Sequence, residues 1–249
     1  MGGRNPKWTR DELILALNLY FRVNPLHTTK KHPMIRELSG FLNQLSLHAV
    51  RVDKERFRNP NAVYMKLCSF LRLDPEYAGK GLSAGSKLDK EVWGEFASDR
   101  DRLARTAWAI RVNSRGFLST PNALREREEE EFPEGKILTR LHRLRETNQG
   151  TVSSKRRSAF ESTGALACEV CDFDFYQAYG EIGYGFVECH DTTPLAYLQM
   201  GVRPKLSNLV IVCSNCHRML HRSRPKMTPS ELRRIVLSKR RDNNTKIQP

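Results

Sequence analysis

Four cysteines and three histidines between residues 168 and 221 carry the chemistry most directly readable from this chain. Cys168-Glu-Val-Cys171 and Cys213-Ser-Asn-Cys216 are pairs with a two-residue gap. That gap lets both thiolates of a pair turn onto one ion, and two such pairs make the all-sulfur tetrahedral site that zinc favours. His217 follows the second pair and His221 stands four residues on, so a helix presents both on one face to a second metal. Between the pairs lie Glu188-Cys-His190-Asp191-Thr-Thr-Pro and then Asn208-Leu-Val-Ile-Val. Imidazoles are borderline ligands, so magnesium, manganese, nickel and zinc all remain open for that site. A second structural zinc site is the competing reading of the three histidines.

The order Cys-x-x-Cys, Glu-Cys-His, Asn-Leu, Cys-x-x-Cys-His-x-x-x-His resembles the HNH nucleases over roughly residues 155–235. The resemblance implies a two-stranded hairpin, a helix and one divalent metal (a ββα-metal unit) that hydrolyses DNA phosphodiesters. By the same resemblance, His190, His217 and His221 hold the catalytic metal and Asn208 orients the loop between them. Cys168, Cys171, Cys213 and Cys216 then hold a structural zinc. One position departs. The family carries two consecutive histidines, the second acting as general base, and here Asp191 follows His190. A carboxylate, with a reference pKa of about 3.9 against about 6.5 for histidine, is a much weaker base. Asp191 is therefore open to several readings: a working base, a hard oxygen ligand of the metal, or the mark of a weakened or engineered-inactive site.

The expected fold class is α+β, a mainly helical N-terminal domain (1–113), a charged linker (114–154) and an HNH domain with a basic tail (155–249). Thr9 with Glu12 has the form of a capping box, followed by Leu13, Ala16, Leu17 and Tyr20 at helical spacing. Pro33 opens a second helix with Ile35, Leu38, Leu42 and Leu45 inward, and Asn59-Pro60 opens a third carrying Val63, Met65, Leu67 and Phe70. A fourth is expected over 88–111, burying Val92, Phe96, Leu103 and Ala107. In the linker, Arg125 to Glu131 is a solvated charge run, and Ile137, Leu141 and Leu144 mark a short amphipathic helix. Its Arg140, His142, Arg143 and Arg145 form a basic face suited to a DNA backbone. A last helix is expected from Thr228 or Pro229 through Leu237, with a frayed end beyond it.

Trp8-Thr-Arg-Asp-Glu-Leu, Arg-Asn-Pro, Met-Lys-Leu-Cys-Ser-Phe and Val-Trp93-Gly-Glu-Phe are similar to the N-terminal domain of a group of bacterial restriction endonucleases that precedes an HNH domain. McrA-type members of such systems cut DNA carrying modified cytosine, which implies a reader of 5-methyl- or 5-hydroxymethylcytosine. Helical DNA-binding domains place a recognition helix late, so Arg58, Asn59, Asn61, Tyr64 and Lys66 around the third helix are the expected contacts. Arg218 and Arg222 join Arg140 and Arg143 as backbone contacts. Trp8, Tyr20, Trp93 and Trp108 could stack on an extruded base, although aromatics at this spacing are more often core.

Charge supports a polyanionic partner. Lys and Arg number 42 against 28 Asp and Glu, a net +14 divided as +8 over 1–113, +1 over 114–155 and +5 over 156–249. No apolar run spans a membrane, the N-terminal residues lack a signal-peptide core, and six cysteines are few for a disulfide scaffold. The expected setting is a reducing bacterial cytoplasm, with double-stranded DNA as partner and a homodimer to cut both strands. A DNA-binding protein that keeps the fold without cutting is the alternative. A homing or recombination nuclease is a third reading, disfavoured by the restriction-like N-terminal segment.

Overall fold

A computed structural model of the chain describes residues 5–45, 47–48, 50–79, 81–82, 85–117, 135–199, 202–223 and 226–245. The charge run at 125–131 lies outside them. The architecture is mixed and mostly helical, with a single two-stranded sheet among the described residues. It divides into two compact units, Met1–Thr139 with Leu195–Met200, and Arg140–Pro194 with Gly201–Pro249.

The first unit is built on α1 (Arg10–Tyr20), which packs against α2 (Pro33–Gln44), α3 (Pro60–Phe70), α4 (Lys87–Phe96) and α5 (Arg100–Phe117). The capping box is present as expected: Thr9 accepts from the Glu12 amide, and the Glu12 carboxylate accepts from the Thr9 amide. Nearly every residue of α1 is buried, Leu13 to Leu17 at 2 % exposure or less. The expected long fourth helix is two helices. Asp99 accepts from the Arg102 amide and so caps a new start after Phe96, a local bond that outcompetes helix continuation. Met65, expected inside, is 44 % exposed, whereas Leu45 is buried just past its helix. The 3-10 turn Leu195–Tyr197 packs on α5.

Burying α1 so completely takes its polar N-terminal residues inside, and each finds a partner there. Arg10 bonds Glu95. Glu12 takes Arg58 Nε and Nη2 at 2.7 and 2.9 Å and His48 at 3.1 Å. Asp11 is fully buried and accepts the backbone N–H of Lys136 at 2.6 Å, thereby capping α6 (Lys136–Glu146) across 125 residues of sequence. Gly135 has φ +89°, and a Cβ there would stand 2.5 Å from the Asp11 carboxylate, so this approach requires glycine.

The second unit opens with the rest of α6 and α7 (Gln149–Thr163), a helix not anticipated from the sequence, capped by Asn148 and closed by Gly164 in the left-handed region. Next come the first cysteine pair, α8 (Phe175–Tyr179), and strands β1 (Glu188–Asp191) and β2 (Leu209–Val212). The strands pair antiparallel with His190 opposite Val210. α9 (Ser214–Arg222) follows β2, and α10 (Pro229–Thr245) runs well past the expected end at Leu237.

Burial pushes the Asp11 carboxyl up to about 7, with the Lys136 and Ile137 amides pulling the other way. The unfolded chain ionises this group near 3.8, so between about pH 4 and pH 7 the folded protein holds the extra proton. The contribution of Asp11 to stability must therefore fall as pH rises through that window and level off above it. Asp11→Asn, which keeps an oxygen for the Lys136 amide, should flatten this slope and raise the urea midpoint at about pH 8 relative to about pH 5. An unchanged slope in the variant would count against the buried, proton-holding carboxyl.

Candidate metal centres

Two groups of converging donors lie in the second unit. In the first, Cys168 and Cys171 sit in a turn closed by Cys168 N–H to Phe173 O and Asp172 N–H to Cys168 O. Asp172 takes φ +60° to complete it. Cys213 caps α9, its sulfur accepting the Cys216 amide. The four sulfurs all lie within 4.8 Å of one another, and no disulfide joins them. A tetrahedral zinc–thiolate centre with bonds of about 2.3 Å has sulfur–sulfur edges near ~3.8 Å; Cys171 and Cys213 stand 3.7 Å apart. Burial pushes the Cys171 thiol up to about 11, whereas Cys168, though burial opposes it, is drawn down by backbone hydrogen bonds; a bound cation would hold the whole set as thiolates. The cluster fits a structural metal such as zinc, as expected. The last helix braces it: Arg233 donates to the carbonyls of Glu169 and Val170, and Arg240, in the stretch expected to fray, donates to that of Cys171.

The second group is His190, His217, His221 and Glu146. The hairpin presents His190, and α9 presents His217 and His221 one turn apart. Glu146 comes from the last position of α6. Its Oε1 lies 2.9 Å from His190 Nδ1 and 3.2 Å from His217 Nε2, and its Oε2 lies 3.1 Å from His221 Nε2. The two α9 imidazoles approach to 3.0 Å through Nε2. Donors bound at about 2.0–2.1 Å to one ion stand ~3.0 Å apart in an octahedral shell and ~3.3 Å apart in a tetrahedral one. Buried His190 Nδ1 makes no well-formed hydrogen bond although Glu146 is close, as suits a lone pair aimed at a cation. His217 Nδ1 is hydrogen-bonded to Glu188, which frees Nε2 for the same purpose. Burial opposes ionisation of Glu146, but the three imidazoles gathered around its carboxylate hold it far below the usual carboxylate range. The histidine and carboxylate donors thus fit a divalent ion. The approach is from the α9 side, where the His217 and His221 side chains are 14 % and 24 % exposed against 1 % for His190.

Asp191 is not among these donors. Its Oδ2 accepts Arg145 Nε at 2.6 Å and its Oδ1 the Thr193 amide at 2.9 Å. The residue is 0 % exposed. Its carbonyl accepts His142 Nε2 at 2.6 Å, and its amide donates to Glu146. Burial pushes the His142 pKa down to about 3, so this ring is neutral. Asn208 works through the loop: its carbonyl accepts the Thr192 amide and hydroxyl, and its side chain donates to Thr193.

Glu146, Arg145, His142 and Glu188 were not assigned to the site from sequence. The signal lay in α6, where His142, Arg145 and Glu146 continue the buried stripe of Leu138 and Leu141 at helical spacing. A polar patch on the core-facing side has to meet polar partners inside. Two expected surface roles are thereby corrected, because His142 and Arg145 are buried rather than presented along a DNA backbone.

The residues expected to touch DNA around α3 separate into two kinds. Arg58 is 3 % exposed, clamped by Glu12 and stacked on Trp8, and Lys66 is ion-paired to buried Asp89. Tyr64 leans on the core, its hydroxyl toward the Pro25 carbonyl. Asn59 caps α3. Asn59 and exposed Asn61 line a surface cavity of about 450 Å³ with Lys30, Lys31 and Arg36, three cations not anticipated there from sequence. On α9, Arg218 and Arg222 are exposed, as is Arg143 on α6, while Arg140 is half-buried. Tyr20 and Trp93 pack edge-on in the core and Trp8 is covered by Arg58; Trp108 is half exposed. Among the described residues no helix is long and apolar enough to cross a membrane.

Metal analysis of the full chain should find two divalent-metal equivalents, one for each donor cluster. Cys213→Ser should abolish the thiolate-bound equivalent and lower the melting temperature, because the small cores around it lose their cross-link. A variant that melts with the parent and keeps both equivalents would refute a structural role for the cysteines.

No protein-family model, no curated protein and no solved structure matches this chain.

Proposed function

We propose that the chain is a metal-dependent DNA endonuclease of the HNH type that restricts foreign DNA, with dependence on modified cytosine residing in the helical unit. The observation that carries this reading is the convergence of His190, His217, His221 and Glu146 at a strand hairpin and its following helix. Beside it stands the four-cysteine cluster. A divalent ion held there would neutralise the scissile phosphate and acidify a bound water.

The residues of the chain supply the rest. Glu188 holds His217 in one tautomer. Asn208 ties the loop after β1 to the start of β2, keeping His190 in register with Val210. Arg218 and Arg222 extend the open side of the centre with positive charge that suits a phosphodiester backbone. In the helical unit, Lys30, Lys31 and Arg36 make no ion pair with any described residue, so their charge is available to phosphate. The net charge of +14 favours the same partner.

A second reading, a DNA-binding metalloprotein that does not cut, is favoured by Asp191. The residue is fully buried and each carboxylate oxygen already accepts a hydrogen bond, which argues against it as base for a water.

Plasmid DNA, plain or bearing 5-methyl- or 5-hydroxymethylcytosine, offered with manganese, nickel, zinc or magnesium separates the two. Nicking or cutting that falls by at least ~10²-fold in His221→Ala supports the nuclease. Equal cutting by the variant would discredit the centre, and binding without any cutting would favour the second reading. Replacing Lys30, Lys31 and Arg36 with alanine should reduce the slope of log affinity against log salt by about 0.9 for each phosphate no longer neutralised. An unaltered slope would take the cavity out of the interface.

A further inference from the structure

We infer that Asp191 is a positioning residue: paired with Arg145, it holds Glu146 in the coordination shell of the histidine centre. This rests on the centre binding a divalent ion, but not on DNA cleavage.

Three bonds tie residue 191 to a single turn of α6. The carbonyl accepts from His142, the amide donates to Glu146 Oε1, and the carboxylate accepts from Arg145. The first two belong to the backbone and are open to any non-proline residue. Only the third depends on the side chain, and it needs an anion. Arg145 has a 9 % exposed side chain, its other arm donates to the Val202 carbonyl at 2.7 Å, and Asp191 is its one carboxylate partner among the described residues. A histidine at 191, the residue expected from the HNH resemblance, would leave that guanidinium buried without a counter-charge, a strongly unfavourable state. Arg145 adjoins Glu146 in sequence, so a turn of helix pushed outward to hydrate the guanidinium carries the Glu146 carboxylate with it. The aspartate at 191 and the carboxylate at 146 therefore form one device. Arg145 and Asp191 neutralise each other and fix the helix, and Glu146 delivers the fourth donor.

Cobalt(II) titration of the full chain tests this, because thiolate charge-transfer bands report the cysteine centre and ligand-field bands report the histidine centre. Asp191→Asn and Asp191→His should each weaken cobalt at the histidine centre by ~10–100-fold, the range for lost supporting shells. The thiolate bands should persist, showing that the unit is folded. Arg145→Gln should act alike, and the Asp191→Asn/Arg145→Gln double variant should lose less than the two single losses combined. In a Glu146→Gln background, Asp191→Asn should add nothing. Asp191→Glu, which keeps the charge, should recover part of the affinity; it and Arg145→Gln decide the matter if the asparagine variant also loses its thiolate bands.

Unchanged histidine-centre affinity in Asp191→Asn, or strictly additive losses, would overturn the inference. A parent chain that binds cobalt at this centre yet cuts no DNA would instead remove the nuclease reading and leave this one standing.

Discussion

The second unit depends on donor groups that converge, because its apolar cores are small. One is built around Val170, Val212, Leu220 and Leu232 with three of the cysteines themselves inside it, and another around Val187, Cys189 and Ile211. Two four-residue strands make its sheet, well short of what stands alone in water. Burial on that scale cannot oppose the chain entropy of about a hundred residues, so cross-links between distant segments are the natural source of order. The cysteine cluster joins the turn after Ala167 to the start of α9. The histidine cluster joins the end of α6, the hairpin and α9. Both clusters meet on α9, with Cys216 on its buried side and His217 and His221 turned toward Glu146.

The first unit faces the opposite problem. Its core is large, and the cost arises where α1 carries Arg10, Asp11 and Glu12 into it. A helix start normally lies in water, where its free N–H groups and its acidic residues are solvated. Here the side chains of Arg10, Asp11 and Glu12 each find a protein partner instead. Glu12 serves its own helix cap and also clamps Arg58, whose guanidinium reaches the carbonyls of Pro6 and Lys7 as well. Arg58 is thus a tether for the segment before α1. The same residue reads as a DNA contact in the sequence because an arginine before a helix N-terminus looks identical on paper in either role.

Legibility from sequence follows the range of the interactions. Thr9 with Glu12, Asn59 before Pro60, and the two Cys-x-x-Cys pairs act within a few residues, and each is readable. The facing of His217 and His221 is readable for the same reason, being one helical turn. Glu146 is not, since it lies 44 positions before His190 and belongs to a segment whose charges resemble a solvated face. What distinguishes that face is burial, which periodicity alone could have suggested: Leu138, Leu141, His142, Arg145 and Glu146 share one side of α6. The break between α4 and α5 is hidden because Asp99 reads equally well as a surface residue of one long helix and as a cap of the next.

Position 191 shows why a residue type at a motif position is insufficient to assign chemistry. A carboxylate serves as a base only if one oxygen is open to the proton it must take, and it serves as a ligand only if it faces the ion. Asp191 is fully buried, lies outside the histidine donor group, and has its carboxylate engaged by Arg145 and the Thr193 amide. Glu146 meets the second, reaching three imidazoles at 2.9–3.2 Å. The two acidic residues have therefore divided the work, one balancing a buried guanidinium and the other completing a donor set. In the nuclease reading, a nucleophile would be activated by the acidity of an ion held on these donors or by a group on the open side of α9.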